Sequence, residues 1–369
     1  MALLETLALR DFRNLERAEL EIPPAGVVII GDNGQGKTNI LEAIYYFQLL
    51  RSLRGARDAD LVRFGAPAFH IHATITTNGC HELSAAFSRG RKKVVVDGAE
   101  AKRLSVALGS LPAIVVSPRD VELVSGSPGE RRRFLDVALA LTSARYLHAL
   151  QKYRGALSRR NAALRGVARG TQSEESVAVW EPPLAESGAV LLAERVSWMN
   201  AHEREFSRLA RAIGEREPMT MRYVTSIINP GEAEHELRDA LERRRELDIR
   251  RGITHAGPHR DDVALQIGDH DLRVFGSGGQ QRTAAMTLRL LEAETLKAHT
   301  GSDPVLLLDD PFAELDLRRS THILELLRET VTGQTIMTVP RAGDIPPDLS
   351  SLPRWHISGG IVSGAANGA

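Results

Sequence analysis

The chain has 369 residues, its 47 Lys plus Arg balance 47 Asp plus Glu, and 43% of its residues are hydrophobic. That length exceeds one ordinary domain, and a net charge of zero means that any nucleic-acid binding has to come from local patches rather than from the overall field. Cys80 is the single cysteine, which excludes an intrachain disulfide framework and a thiolate metal cluster and suits a reducing cytoplasm.

The opening segment "MALLETLALRDF" places charged residues where a signal peptide would carry its apolar core, and no run of about 18 apolar residues follows. The expectation is a cytoplasmic protein without a membrane partner. Leu7 and Leu9 begin an extended segment, Pro23 and Pro24 break the chain, and "VVII" at 27–30 reads as a strand buried on both faces. "NILEAIYYFQLL" at 39–50 recurs at helical spacing, so the order is strand, glycine-rich loop, helix. Residues 70–116 read mostly as short strands separated by Gly, Asn or Pro, a meander on one edge of a head. From 129 to 181 there is no proline, and Leu147, Leu150, Tyr153 and Leu157 follow helical steps. A second helical tract after Pro182–Pro183 carries Leu192, Val196, Met199, Phe206 and Leu209 on one face. A third, "EAEHELRDALERRRELDIRR", interleaves its charges as a solvated helix does. After Gly252 strand signals return in "VALQIG" and "PVLLLDD", and the Gly-rich tail from Ser358 is expected to fray. The reading is an α/β head, residues 1–128 and 251–369, interrupted by a helical arm at 129–250.

Three segments carry chemistry. "GDNGQGKT" (Gly31, Asp32, Asn33, Gly34, Gln35, Gly36, Lys37, Thr38) matches G-x-x-x-x-G-K-[ST] between a buried strand and a helix. There the backbone N–H groups and the helix N-terminus would cradle phosphates, Lys37 would neutralise them, and Thr38 would hold Mg²⁺. The bland alternative is a Gly-rich turn with an exposed lysine. "VLLLDDPFAELD" ends an apolar strand in Asp309 and Asp310, at the strand edge where open α/β sheets bind ligands. Asp309 suits Mg²⁺ and Asp310 suits an attacking water; the alternative is a pair of aspartates capping the next helix at Pro311. "FGSGGQQR" at 275–282 offers a second glycine-rich helix start, for which one nucleotide already held by a P-loop has no need. The economical solution is that it serves a nucleotide bound by another copy of the chain.

"GDNGQGKT", "SGGQ" and "LLLDD" followed by "ELD" resemble the Walker A, signature, and Walker B plus D-loop motifs of ABC-type ATPases. Together with "LRDFRNLERAELEI", "PRDVELVSGSPGERRRFLD" and "GPHRDDVAL", they are similar to the bacterial RecF recombination-repair family over nearly the whole chain. The resemblance implies an ABC-type P-loop ATPase head with an inserted arm, ATP and Mg²⁺ as ligands, and a homodimer with ATP sandwiched between heads. In that dimer Ser277, Gly278, Gly279 and Gln280 would reach the partner's γ-phosphate, and Asp316 would lie in the D-loop. It further implies DNA as a partner, duplex or single-strand/double-strand junction, with RecR, and indirectly RecO and RecA, at gaps coated by single-strand-binding protein. Transporter-type members carry Glu where Asp310 stands and a switch His near Val339; the shorter carboxylate and the missing His imply slow hydrolysis. No Gln-loop is evident; the turn at 117–120 is the nearest candidate. An ABC-transporter ATPase and a non-hydrolysing, nucleotide-switched scaffold are the alternatives.

Basic clusters lie at Arg91–Lys93, Arg131, Arg132 and Arg133, Arg159 and Arg160, Arg243, Arg244 and Arg245, and Arg250–Arg251. The arm clusters and 131–133 are the candidate phosphate contacts, although any one basic run is by default a solvated face. Aromatic residues are scarce, which favours duplex backbone over a dedicated single-strand groove. His255, His259, Asp261 and Asp262 in "HAGPHRDD" could ligate metal, but Gly257 and Pro258 break the helix that would align them, so a structural turn is expected.

Overall fold

The computed structural model describes residues 1–364 apart from 78, 312–316 and 331, with the side chains of 230 and 317–319 also left aside. The chain divides into two compact units, Met1–Asp120 with Leu288–Ala369, and Val121–Thr287.

The first unit contains two six-stranded sheets. One is an antiparallel sheet ordered Leu15–Glu21, Leu3–Phe12, Ala68–Thr76, Cys80–Ser88, Arg91–Val96, Ala99–Glu100. Its strands alternate as a half-buried sheet must: Phe69, Ile71, Ala73 and Ile75 point inward, while His70 stands on the open face. Of the meander expected over 70–116, the strands up to Glu100 form this sheet, whereas Ala113–Val116 joins the parallel sheet beside Val305–Asp309. The second sheet runs Ile361–Ser363, Arg354–Ser358, Gly26–Ile30, Thr335–Val339, Val305–Asp309, Ala113–Val116. All but its Ile361–Ser363 edge pair in parallel. Gly26–Ile30 is buried throughout, which explains its uninterrupted apolar run. The helix Lys37–Leu49 is buried nearly all round, because residues of both sheets share one core with it; Tyr46 meets Phe69 edge-on at 5.8 Å. Gln334 links the sheets by donating to Leu4 O and Pro23 O while accepting from Leu4 N.

The second unit is built on the helices Pro128–Thr142, Ala144–Ala168 and Glu181–Ile213. Pro182 and Pro183 sit in the first turn of the third, where a missing N–H costs nothing. The region read as an all-helical arm also holds a strand, Met219–Val224, which pairs with Asp262–Ile267. That pairing takes "VALQI", placed with the head by its strand signal alone, into the second unit, so the units part at 120 and 288 instead of 128 and 250. The third charged tract is two helices, Ala233–Arg243 and Arg245–Arg251, and it is not solvated all round: Leu237, Leu241 and Asp248 are buried. In the tail, 361–363 form an edge strand rather than fraying, and 365–369 lie outside the described residues.

Candidate nucleotide site

Residues 31–36 leave the strand Gly26–Ile30 and turn into the helix that begins at Lys37. Gly36 has φ 115°, and a Cβ there would sit 2.7 Å from Asn14 Oδ1, so the turn excludes any side chain at this position. Asn14 braces the loop by donating to Gln35 O at 3.0 Å and accepting from Asn39 Nδ2 at 2.8 Å. Lys37 Nζ donates to Gly31 O and Asp32 O, folding over the loop it would open for a phosphate.

Asp309 ends the strand Val305–Asp309, one strand removed from Gly26–Ile30, and Thr38 Oγ1 donates to its Oδ1 at 2.9 Å. Thr338, register partner of Asp309, donates to the same oxygen at 2.8 Å. Asp310 follows in a left-handed conformation, φ 48°, which is strained for a residue with a Cβ. A cleft of about 330 Å³ is lined by Asn33, Lys37, Thr38, Arg54, Asp309 and Asp310 among others. Burial lowers the Lys37 ammonium pKa, against the opposing charges of Asp309, Asp310 and Asp32. Burial likewise raises that of the Asp310 carboxyl, with Asp309 and Asp344 adding to the effect and Lys37 opposing it. Hard oxygen donors beside a lysine and free loop N–H groups fit Mg²⁺ and a phosphate chain: Thr38 and Asp309 would hold the ion. Thr338, Asn14 and Arg54 were not singled out in the sequence. Arg54 donates to Asn39 Oδ1 at 3.2 Å, and only the folded chain brings it to the cleft.

"SGGQ" belongs to the second unit and opens the helix Gly278–Thr300 as a capping box. Ser277 N donates to Gln280 Oε1 at 2.9 Å, and Gln280 N to Ser277 Oγ at 3.3 Å. Gln281 closes the preceding turn by donating to Leu272 O and Arg273 O. A Cβ at Gly278 would meet nothing within 4 Å, so the glycine leaves the helix end open to a ligand. Asp316 lies outside the described residues. The turn at 117–120 closes through Ser117 N donating to Asp120 Oδ2, and Asp120 pairs with Arg289 at 2.6 Å.

The candidate DNA arginines separate sharply. Arg131 is buried, bidentate to Asp262, and caps the carbonyls of Val124 and Gly126. Arg160 is fully buried between Asp248 and Glu181, and Arg245 also pairs with Glu181 at 2.6 Å. Arg132 donates to Asp261 O. Arg131 and Arg160 are therefore internal braces and not phosphate contacts: Arg160 could reach DNA only by stranding the buried Asp248 and Glu181, and Arg131 only by leaving its buried carbonyl partners. Arg159, Arg243 and Arg244 are exposed and Arg133 is half-buried. "HAGPHRDD" is a structural turn: His255 pairs with Asp248, His259 lies between Tyr153 OH and Thr254 O, and Asp261 accepts from Tyr223. Among the described residues no cluster of three His, Cys, Asp or Glu could hold a metal ion.

Residues 3–343 match the family of RecF/RecN/SMC N-terminal domains. The DNA replication and repair protein RecF of Halalkalibacterium halodurans is 36% identical over 93% of this chain and 94% of its own; that of Salinibacter ruber is 35% identical over 96% and 89%. Among solved structures, the recombination mediator protein RecF with ATP, of the RecFOR pathway, aligns at TM-score 0.89 with 30% identity, covering 98% of this chain and 97% of that one. An SMC head bound to the C-terminal winged-helix domain of ScpA, at TM-score 0.55 and 16% identity over 97% of this chain and 96% of that one, shares the fold alone. A P-loop on a buried parallel strand with an aspartate ending the strand after next, together with the family match, places the fold among ABC- and SMC-type ATPase heads. Within that class, the chain belongs to the RecF family of DNA replication and repair proteins.

Proposed function

We propose that the chain is an ATP-dependent DNA-binding protein of recombinational repair and replication restart, which dimerises on ATP at DNA and hydrolyses it slowly. The observation that carries this reading is the meeting of Thr38 and Asp309, 271 positions apart, beside Lys37 in one cleft. ATP is the substrate, and Lys37 would exchange its two carbonyl partners for phosphate oxygens. When bound, Mg²⁺ would supply charge neutralisation at Thr38 and Asp309. Asp310 is the residue that would accept the proton of the attacking water, and its side chain, one methylene shorter than that of glutamate, supports slow turnover. Ser277, Gly278, Gly279 and Gln280 would contact the γ-phosphate held by a second copy, with Asp316 at the same interface. The helices within 129–250 would act as the arm.

The RecFOR pathway named for the ATP-bound neighbour supports partners of that pathway; RecR as a partner, with RecO and RecA acting indirectly, follows from the family resemblance. A gel shift of duplex, gapped and single-stranded DNA with ATP, ADP or no nucleotide tests the reading. ATP-dependent retention of duplex or gapped DNA is expected, and no shift in any lane would overturn it. DNA retention with ATP but no turnover would leave a nucleotide-switched scaffold.

A further inference from the structure

Phe64 is a fully exposed phenylalanine in an otherwise polar setting. Val62 pairs with Phe12, and Arg63 N donates to Asp11 O, so the chain runs beside the strand Leu3–Phe12 before leaving it. It then makes a tight turn: Ala66 N donates to Arg63 O at 2.9 Å, and Gly65 takes φ 84°, the type II pattern that places Phe64 at the first corner. A closed turn holding an aromatic ring in water gains nothing from burying it, and its rigidity lowers the entropy cost of any contact the ring makes.

Arg63, the residue before Phe64, lines a charged face. Cross-strand register aligns Arg17, Arg10, His70 and Lys93 in one row on the open face of the antiparallel sheet, with Ala86 between the last two. A groove of about 600 Å³ on this face is lined by Arg10, Arg17, Arg63 and His70, together with Asp11, Glu16 and Glu19. Arg10 has no carboxylate partner among the described residues. Among the described residues Arg17 pairs with Glu19 alone, both well exposed, and such a pair is weak enough for a phosphate to displace. Arg63 is held by Asp11 at 2.6 Å and more loosely by Glu16 at 3.6 Å, which fixes the turn.

We infer that this face binds nucleic acid at the point where a duplex opens, with Arg10 and Arg17 on the phosphates and Phe64 stacked on the first unpaired base. One aromatic cannot form the succession of stacking platforms that tracks a single strand, and an uninterrupted duplex offers it no free base face. A junction offers one, without the unstacking cost of a closed duplex. A lone ring among charges is likewise unlike the contiguous apolar patch of a protein interface. The inference rests on the DNA-binding reading above and names its surface.

The test is fluorescence anisotropy of the full chain with ATP at one fixed salt concentration, on a blunt duplex and on the same duplex carrying a single-stranded tail. Phe64→Ala is expected to weaken junction binding about tenfold and leave blunt-duplex binding unchanged, while Phe64→Trp retains the preference. Arg10→Ala should weaken both and lower the salt slope by about one. An unchanged junction-to-duplex ratio in Phe64→Ala would overturn the inference while leaving DNA binding intact. Loss of ATP-dependent dimers in Phe64→Ala, read by light scattering, would also overturn it by making the turn a protein contact. A wild-type chain that binds neither DNA would overturn both this inference and the reading on which it rests.

Discussion

Thr38 and Asp309 share a hydrogen bond of 2.9 Å although 271 positions separate them, and Thr338 fixes the same carboxylate oxygen from the other side. The carboxylate is thus aimed before any ligand arrives. Asp309→Asn keeps its shape but removes the charge a hard cation needs. ATP affinity by isothermal titration should then be the same with Mg²⁺ or with chelator, whereas the parent chain should lose roughly tenfold or more on chelation. Equal sensitivity in both proteins would remove Asp309 from the ion site.

Ser277→Arg places a long cation at a helix end where Gly278 leaves open space. ATP should still bind each monomer, because the P-loop lies in the other compact unit. Light scattering with ATP should report monomers where the parent chain pairs. Dimers of unchanged mass in the variant would sink the trans arrangement.

Arg160 is fully buried and donates to Asp248, Thr254, Glu181 and Leu241 O. Arg160→Ala leaves two buried carboxylates without their common partner, a loss on the order of 3–5 kcal/mol. Urea unfolding should show it directly. Arg159→Ala, which removes an exposed guanidinium 5.0 Å from the Trp180 ring, should cost about 1 kcal/mol or less.

His259 is held neutral: burial pushes its pKa down to about 4, with its ring between Tyr153 OH and Thr254 O. The folded state therefore binds fewer protons than the unfolded chain between about pH 6.5 and about 4. Stability is present above that window and falls as pH drops through it, by up to roughly 3 kcal/mol from this group. Asp261, whose carboxyl burial raises, acts in the opposite sense. Comparing urea midpoints of the parent and His259→Asn at pH 7.5 and 5 isolates the histidine: the variant should show the shallower dependence, and equal slopes would refute the assignment.

The nucleotide cradle was legible because its parts are local: a covered strand, glycines at forced turns and a lysine at a helix start fall within a dozen residues. Basic runs were not, since "RR" at 159–160 reads the same whether a side chain meets water or Asp248, which lies 88 positions on. Thr338 carries no signal at all; only parallel register sets it against Asp309. The strand Asp262–Ile267 was recognised as a strand, but alternation does not say which partner it will join. Phe64 went unmarked because exposure belongs to the fold, not to the residue.

The reciprocal cap between Ser277 and Gln280 bears on how pairing would be timed. A helix end without it would fray, and an incoming phosphate would first have to order the backbone. With the cap closed, the hydroxyl is occupied by a weak internal bond at 3.3 Å, a placeholder that a charged oxygen can displace. The end thus stands already formed, and recognition of a phosphate there would be an exchange of partners rather than an act of folding.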